Sequence, residues 1–209
     1  MNESIQVGFL GGMKLPGNVQ TFLGNLRRLL RSQDQMFECD LLVSEGIDTL
    51  GGYRTIRINT DSISTAHDRL VSLHQAVTRY AITERPDILM QVTRFPTHGP
   101  ALALAGRQTD IPTVTRLAGD NFREYRFAAD MMETLRTFAL KNIIALAAVH
   151  LSDAVVVLGP NGRRDIERRC VGLIFGRYLS RWTRPGFRPE TPSNFVKPSE
   201  SNPKTGCLF

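Results

Sequence analysis

Two adjacent glycines, Gly11 and Gly12, close an apolar run from Ile5 to Leu10, and Pro16-Gly17-Asn18 precedes the next periodic segment. A strand ending in glycines can turn sharply and expose its amide N–H groups, and the positive end of the helix that follows favours an anion beside them. The chemistry open to such a turn is the holding of a phosphate or diphosphate. A tight strand-to-helix connection with no ligand uses the same residues. Glycines at 8, 11, 12 and 17 do not form the Gly-x-Gly-x-x-Gly of a dinucleotide site, which disfavours hydride transfer. Gly12 and Gly17 have the Walker spacing, but Asn18-Val19 stands where Lys-Ser/Thr is needed, so Mg²⁺-nucleotide chemistry of that type is excluded. His67 and His74 lie two helical turns apart, too far for a chelating pair, and Cys39, Cys170 and Cys207 are widely spaced, so no metal site is expected.

The totals narrow the setting. At 209 residues the chain suits one domain, or one domain and a tail. The expected division is a Rossmann-like domain over residues 1–176 and an irregular, proline-rich basic tail over 177–209. Of 26 basic and 20 acidic residues, six and two lie after Gly176, which leaves 20 and 18 before it. The net charge of +6 therefore belongs mostly to the tail, and a nucleic-acid partner is not expected. Met1-Asn2-Glu3-Ser4 has no positive n-region, so no signal peptide is expected, and the cysteines fit a reducing compartment, so the expected location is cytoplasmic. The apolar stretch from Phe138 to Leu151 is too short to span a bilayer, and no apolar run reaches the roughly 18–20 residues that spanning requires. Core packing is the expected role of this stretch, with a peripheral contact at the inner face of the membrane as the alternative.

The elements that must position these residues follow from periodicity. Val19, Phe22, Leu23, Leu26, Leu29 and Leu30 recur at helical spacing, with Asn18 placed as the N-cap. Strands are expected at Phe37 to Val43, Tyr53 to Ile58, Ile88 to Val92, Ile111 to Arg116 and Ala154 to Leu158. Helical patterns run from Thr65 to Glu84, from Ala101 through the small residues Ala105 and Gly106, from Phe122 to Leu151 as two helices or one broken one, and from Asn161 to Arg169. This alternation predicts a mostly parallel sheet covered on both faces. Ligands of such sheets bind outside the carboxyl ends of the strands, so the loops at Gly11-Gly12, Ser44-Glu45, Arg94 to His98, Arg116 to Asn121 and Gly159 to Asn161 should open on one edge.

In order and spacing the chain from Ile5 to Arg169 resembles the N-terminal half of a family-4-like glycosyltransferase, one of the two Rossmann-like domains of the GT-B fold. The resemblance rests on Gly-Gly-Met-Lys-Leu-Pro-Gly at 11–17, Glu84-Arg85-Pro86-Asp87-Ile88-Leu89, Ala103-Leu104-Ala105 to Ile111-Pro112-Thr113-Val114, Arg116-Leu117-Ala118-Gly119-Asp120 and Leu151-Ser152-Asp153-Ala154-Val155-Val156-Val157. It implies transfer of a sugar from a nucleotide-sugar, a co-substrate with no further cofactor, to a glycan, lipid-linked or small-molecule acceptor. Gly11 and Gly12 would approach the donor diphosphate, and His98, Asn121 and Arg94 would line the acceptor side. Asp120 would orient an acceptor hydroxyl and Arg116 would balance phosphate charge, as catalytic residues. Gly119-Asp120-Asn121 would equally serve as a turn capping the next helix.

The family's donor domain carries Glu-x₇-Glu, yet no two glutamates here stand eight positions apart. A truncated or frame-disrupted product, or a subunit that meets a separate donor-domain chain, is the expectation, with little activity alone. A non-catalytic Rossmann-like binding module is the alternative.

Overall fold

The computed structural model describes residues 4–12, 15–33, 36–44, 50–58, 66–93, 95–118, 122, 128–157 and 159–169. Arg94, Asp120, Asn121 and the whole tail at 177–209 lie outside the described residues.

Strands β1 (Ile5–Gly12), β2 (Phe37–Val43), β3 (Arg54–Arg57), β4 (Ile88–Gln91), β5 (Thr113–Leu117) and β6 (Ala154–Val157) form one sheet in the order β3-β2-β1-β4-β5-β6. All five pairings are parallel. Parallel neighbours need crossover connections, and the helices supply most of them. Helix α1 (Gly17–Arg31) covers one face, where Val19 and Leu23 meet Val7, Phe9, Leu41 and Val43. Helices α2 (Ala66–Glu84) and α3 (Phe95–Thr109) cover the other, where Leu73, Val77, Ala101 and Leu102 meet Leu10, Leu42 and Leu89. This is the expected α/β Rossmann-like architecture.

Three boundaries differ from the sequence expectation. Asn18 is not the N-cap of α1. Gly17 and Asn18 are already helical, and the Pro16 carbonyl accepts from Val19 and Gln20 N–H at 2.9 and 3.0 Å. Helix α3 begins at Phe95 rather than Ala101, so His98 stands on a helix and not in a loop. Pro96 fits there because N–H groups of a first turn have no intrahelical partner, and only Pro100 removes a bond. The segment before β6 is one continuous 21-residue helical run, Met131–Leu151, made of α4 (Met131–Phe138), a π-helical segment (Ala139–Ile144) and α5 (Ala145–Leu151). By length and composition this run could cross a bilayer, which corrects the expectation that none could, because the helix starts seven residues before Phe138. Helix α6 (Gly159–Arg169) follows β6.

Small residues let α3 lie close to its neighbours. A Cβ at Gly106 would stand 2.1 Å from Thr113 Cγ2 of β5, and one at Gly99 would stand 3.1 Å from Ala148 Cβ of α5. Residues just past α2 and α3, Arg85 and Asp110, have φ of 50° and 58°, the left-handed stop that frees the chain to enter the next strand. A polar cluster sits beneath β1 and β2. Asp40 accepts from Arg54 through both oxygens at 2.8 and 2.7 Å, from Tyr80 Oη at 2.7 Å and from Gln6 Nε2 at 2.8 Å.

Candidate functional site

The strand order reverses between β1 and β4, with α1 leaving toward one face and α3 toward the other, so a crevice opens at their carboxyl ends. The sequence-derived residues Gly11, Gly12, His98 and Arg116 all lie there. Strand β1 ends in a bulge: Leu10 pairs with Leu42 and Gly12 with Val43, which leaves Gly11 as the additional residue. The glycines are thus the bulged end of a strand rather than a free turn. The Gly12 carbonyl accepts from Ser44 N–H at 3.2 Å, and the Gly11 carbonyl accepts from the Thr93 hydroxyl. Gly12 has φ of +71°, and a Cβ placed on it would stand 2.0 Å from His98 Cε1. Glycine is required there both by the backbone and by the imidazole against it.

Thr93 joins these residues. Its one hydroxyl proton goes to the Gly11 carbonyl, so in the 3.1 Å contact between Thr93 Oγ1 and His98 Nδ1 the imidazole must donate. The proton therefore sits on Nδ1, and Nε2 is the acceptor nitrogen of the neutral ring. His98 is buried in the first turns of α3.

Gln91 carries the connection on to β5. Its Nε2 donates to the Thr93 carbonyl at 2.7 Å and its Oε1 accepts the Arg116 backbone N–H at 3.0 Å. Neither Thr93 nor Gln91 was singled out from sequence. The available signal was Gln91 itself, a polar side chain closing the buried run Ile88-Leu89-Met90, which asks for a partner in the fold.

Arg116 is 6 % exposed, and its guanidinium is served lightly. Nη1 donates to the Val92 carbonyl at 3.2 Å, Cζ lies 4.2 Å from the centroid of the Phe22 ring on α1, and Nε has no hydrogen-bond partner among the described residues. Among the described residues no carboxylate pairs with it. Burial pushes its pKa below the ordinary arginine value, yet the group stays charged. The described residues thus leave this buried cation lightly served, and an anion arriving at the edge would offset part of the cost of burying it.

Two concavities lie elsewhere. One of about 320 Å³ opens between β3 and α2, lined by Ile56, Arg57, Gln75, Arg79 and Glu84, and another of about 460 Å³ lies beside His74, Thr78 and Gln108. The first reaches Arg57 and Ile58 at the end of β3, and neither is lined by Gly11, Gly12, His98 or Arg116. Among the described residues no cluster of three metal-ligating side chains occurs. His74 Nδ1 lies 3.3 Å from the Ala101 carbonyl, a helix-to-helix contact rather than a ligand position.

No protein-family model matches the chain, and no curated protein does. Solved structures match its fold. The lipopolysaccharide outer core galactosyltransferase WaaB aligns with a TM-score of 0.58 and 10 % identity over 81 % of this chain and 43 % of its own. UDP-GlcNAc 2-epimerase from Methanocaldococcus jannaschii aligns with a TM-score of 0.55 and 13 % identity over 80 % of this chain and 43 % of its own. The same epimerase in complex with UDP-GlcNAc and UDP gives 0.53 and 12 %, over 80 % and 44 %. The fold is therefore that of one half of the GT-B class, and the chain spans less than half the length of these matched structures.

Proposed function

We propose that this chain is the acceptor-side half of a glycosyltransferase that takes its sugar from a nucleotide-sugar donor. The observation that carries the reading is Arg116, a buried guanidinium with no carboxylate among the described residues, at the carboxyl edge where β1 and β4 diverge. As an acceptor oxygen bonds to the anomeric carbon, the bond to the diphosphate breaks and negative charge grows on the leaving oxygen. A fixed cation facing that oxygen stabilises the charge as it develops. Gly11 and Gly12 bring backbone close to the same diphosphate. By the same resemblance His98, Arg94 and Asn121 would line the acceptor side and Asp120 would orient the acceptor hydroxyl. The other half of the site comes from a donor-binding domain, in the same frame or on a separate chain.

The test is a product-release assay with UDP-sugars and lipid-linked or glycan acceptors, run beside binding of UDP. The full chain is expected to bind UDP, to lose that binding in Arg116→Met, and to release no product alone. Turnover by the chain alone would contradict the division of labour. Absence of UDP binding would remove Arg116, Gly11 and Gly12 from the diphosphate contact.

A further inference from the structure

The helical run Met131–Leu151 has two unlike halves. Its C-terminal half is built into the domain: Ala145, Ala148 and Val149 are buried with Phe95 and Leu117. Its N-terminal half, α4, buries none of its residues. The point of departure is Asn142, whose Nδ2 donates to the Phe122 carbonyl at 3.3 Å, with the Phe122 ring packed edge-on against Phe95 at the start of α3. Asn142 therefore stands level with the carboxyl edge of the sheet. Because the run descends toward β6, which begins at Ala154, residues before Asn142 extend outward from that edge over roughly 15 Å at the helical rise.

The side chains on this extension are large and apolar. Met131 is 85 % exposed, Met132 76 % and Leu135 60 %, with Phe138 and Ile143 also exposed. Met131, Leu135 and Phe138 recur at i, i+4, i+7 and so share one stripe. The carboxylates beside them are occupied in capping: Asp130 accepts the Glu133 N–H at 2.7 Å, and Glu133 accepts the Ala129 N–H at 2.8 Å. Cations gather at the base. Helix α6 ends against the same Asn142, where Arg169 Nη1 donates to Oδ1 at 2.8 Å while its Cζ lies 4.8 Å from the Phe122 ring centroid. Arg164 and Arg168 share an exposed face of α6, Asp165 is buried, and Glu167 is taken by Arg163 at 2.7 Å. Arg136 lies on α4 itself, exposed.

We propose that α4, with the arginines of α6, docks this domain on an anionic lipid bilayer. Flexible thioether and aliphatic side chains enter the acyl boundary while guanidinium groups meet lipid phosphates, the pairing that an interfacial amphipathic helix makes. The run lies on the bilayer and does not cross it, since its second half and the buried Asn142 belong to the domain core. The inference does not depend on the glycosyl-transfer reading: it uses neither Arg116 nor His98.

The experiment is vesicle co-sedimentation of the full chain, with phosphatidylcholine alone and with phosphatidylglycerol added, at low and high salt. The wild-type chain is expected to bind the anionic vesicles at least tenfold more strongly than the neutral ones. The triple variant Met131→Ser, Met132→Ser, Leu135→Ser should lose at least tenfold of that binding, and Arg164→Glu with Arg168→Glu a similar amount, both with unchanged thermal melting. In Met132→Trp made together with Trp182→Phe, so that the new indole is the single tryptophan, emission should shift to the blue on vesicles and be quenched by brominated lipid. Wild-type binding by the triple variant would overturn the proposal by assigning attachment to another part of the chain, such as the basic tail. Self-association that the triple variant abolishes, without vesicle binding by the wild type, would overturn it in favour of a second copy on α4.

Discussion

The imidazole of His98 lies where a side chain on Gly12 would have to go: a Cβ built on Gly12 stands 2.0 Å from Cε1 of the ring. Strand β1 and helix α3 are thereby fitted to each other at the point where the sheet changes direction. Gly12→Ala should cost about 1–3 kcal/mol, from the positive φ together with the clash. In a His98→Ala background the same substitution should cost measurably less, because one of the two penalties has gone. Urea unfolding of the four proteins of this cycle checks it, and equal costs in both backgrounds would show that the contact carries no energy.

Thr93 should matter through its hydroxyl. Thr93→Val leaves the Gly11 carbonyl and His98 Nδ1 without their common partner and should cost about 1–3 kcal/mol, whereas Thr93→Ser should recover most of it. Nitrogen-15 NMR of the His98 ring should report a proton on Nδ1 in the wild type. A ring protonated on Nε2 in its neutral form would contradict the hydrogen-bond assignment.

Much of this architecture was legible in the sequence, and the residues that were not have a common physical cause. Periodicity marks which face of an element is buried, so all six strands and the helices from Val19 and Leu70 could be placed from local pattern. The start of α3 could not, because Pro96 and Pro100 read as loop signals while the first turn of a helix tolerates a missing N–H. The π-helical segment was equally hidden, since it is fixed by Asn142 reaching Phe122 and Arg169, partners 20 and 27 residues away. Gly11 and Gly12 were recognised as glycines that matter. That His98 and Thr93 are the neighbours that constrain them is a long-range relationship, and no spacing rule announces it.

Asp40 should make the fold sensitive to acid. Burial pushes its carboxyl up, while hydrogen bonds from Arg54, Tyr80 and Gln6 pull it down, and the net position is below the ordinary aspartate value. A depressed folded-state pKa gives stability that is present above the unfolded value, near pH ~4, and lost as pH falls through the folded value. Stability of the wild type should therefore drop below about pH 4, and Asp40→Asn should show a flatter acid limb from a lower plateau. Parallel acid limbs in denaturant titrations from pH 2 to 7 would exclude the network as the source.

Arg116 should separate stability from binding. Removing one partner of a buried ion pair destabilises strongly, and among the described residues no carboxylate would be left behind by loss of Arg116. Arg116→Met keeps an unbranched chain against Phe22 and should change stability by less than about 1 kcal/mol in either direction. A loss above about 3 kcal/mol would reveal a structural counter-charge instead.

The most direct measurement is an amide-resolved NMR titration of the full chain with UDP, in the wild type and in Arg116→Met. Shifts should concentrate at Gly11, Gly12, Thr93, His98 and Arg116, and should vanish in the variant while its spectrum stays folded. Shifts gathered at the cavities beside α2, or a response that survives loss of the guanidinium, would contradict the assignment of a diphosphate to this edge.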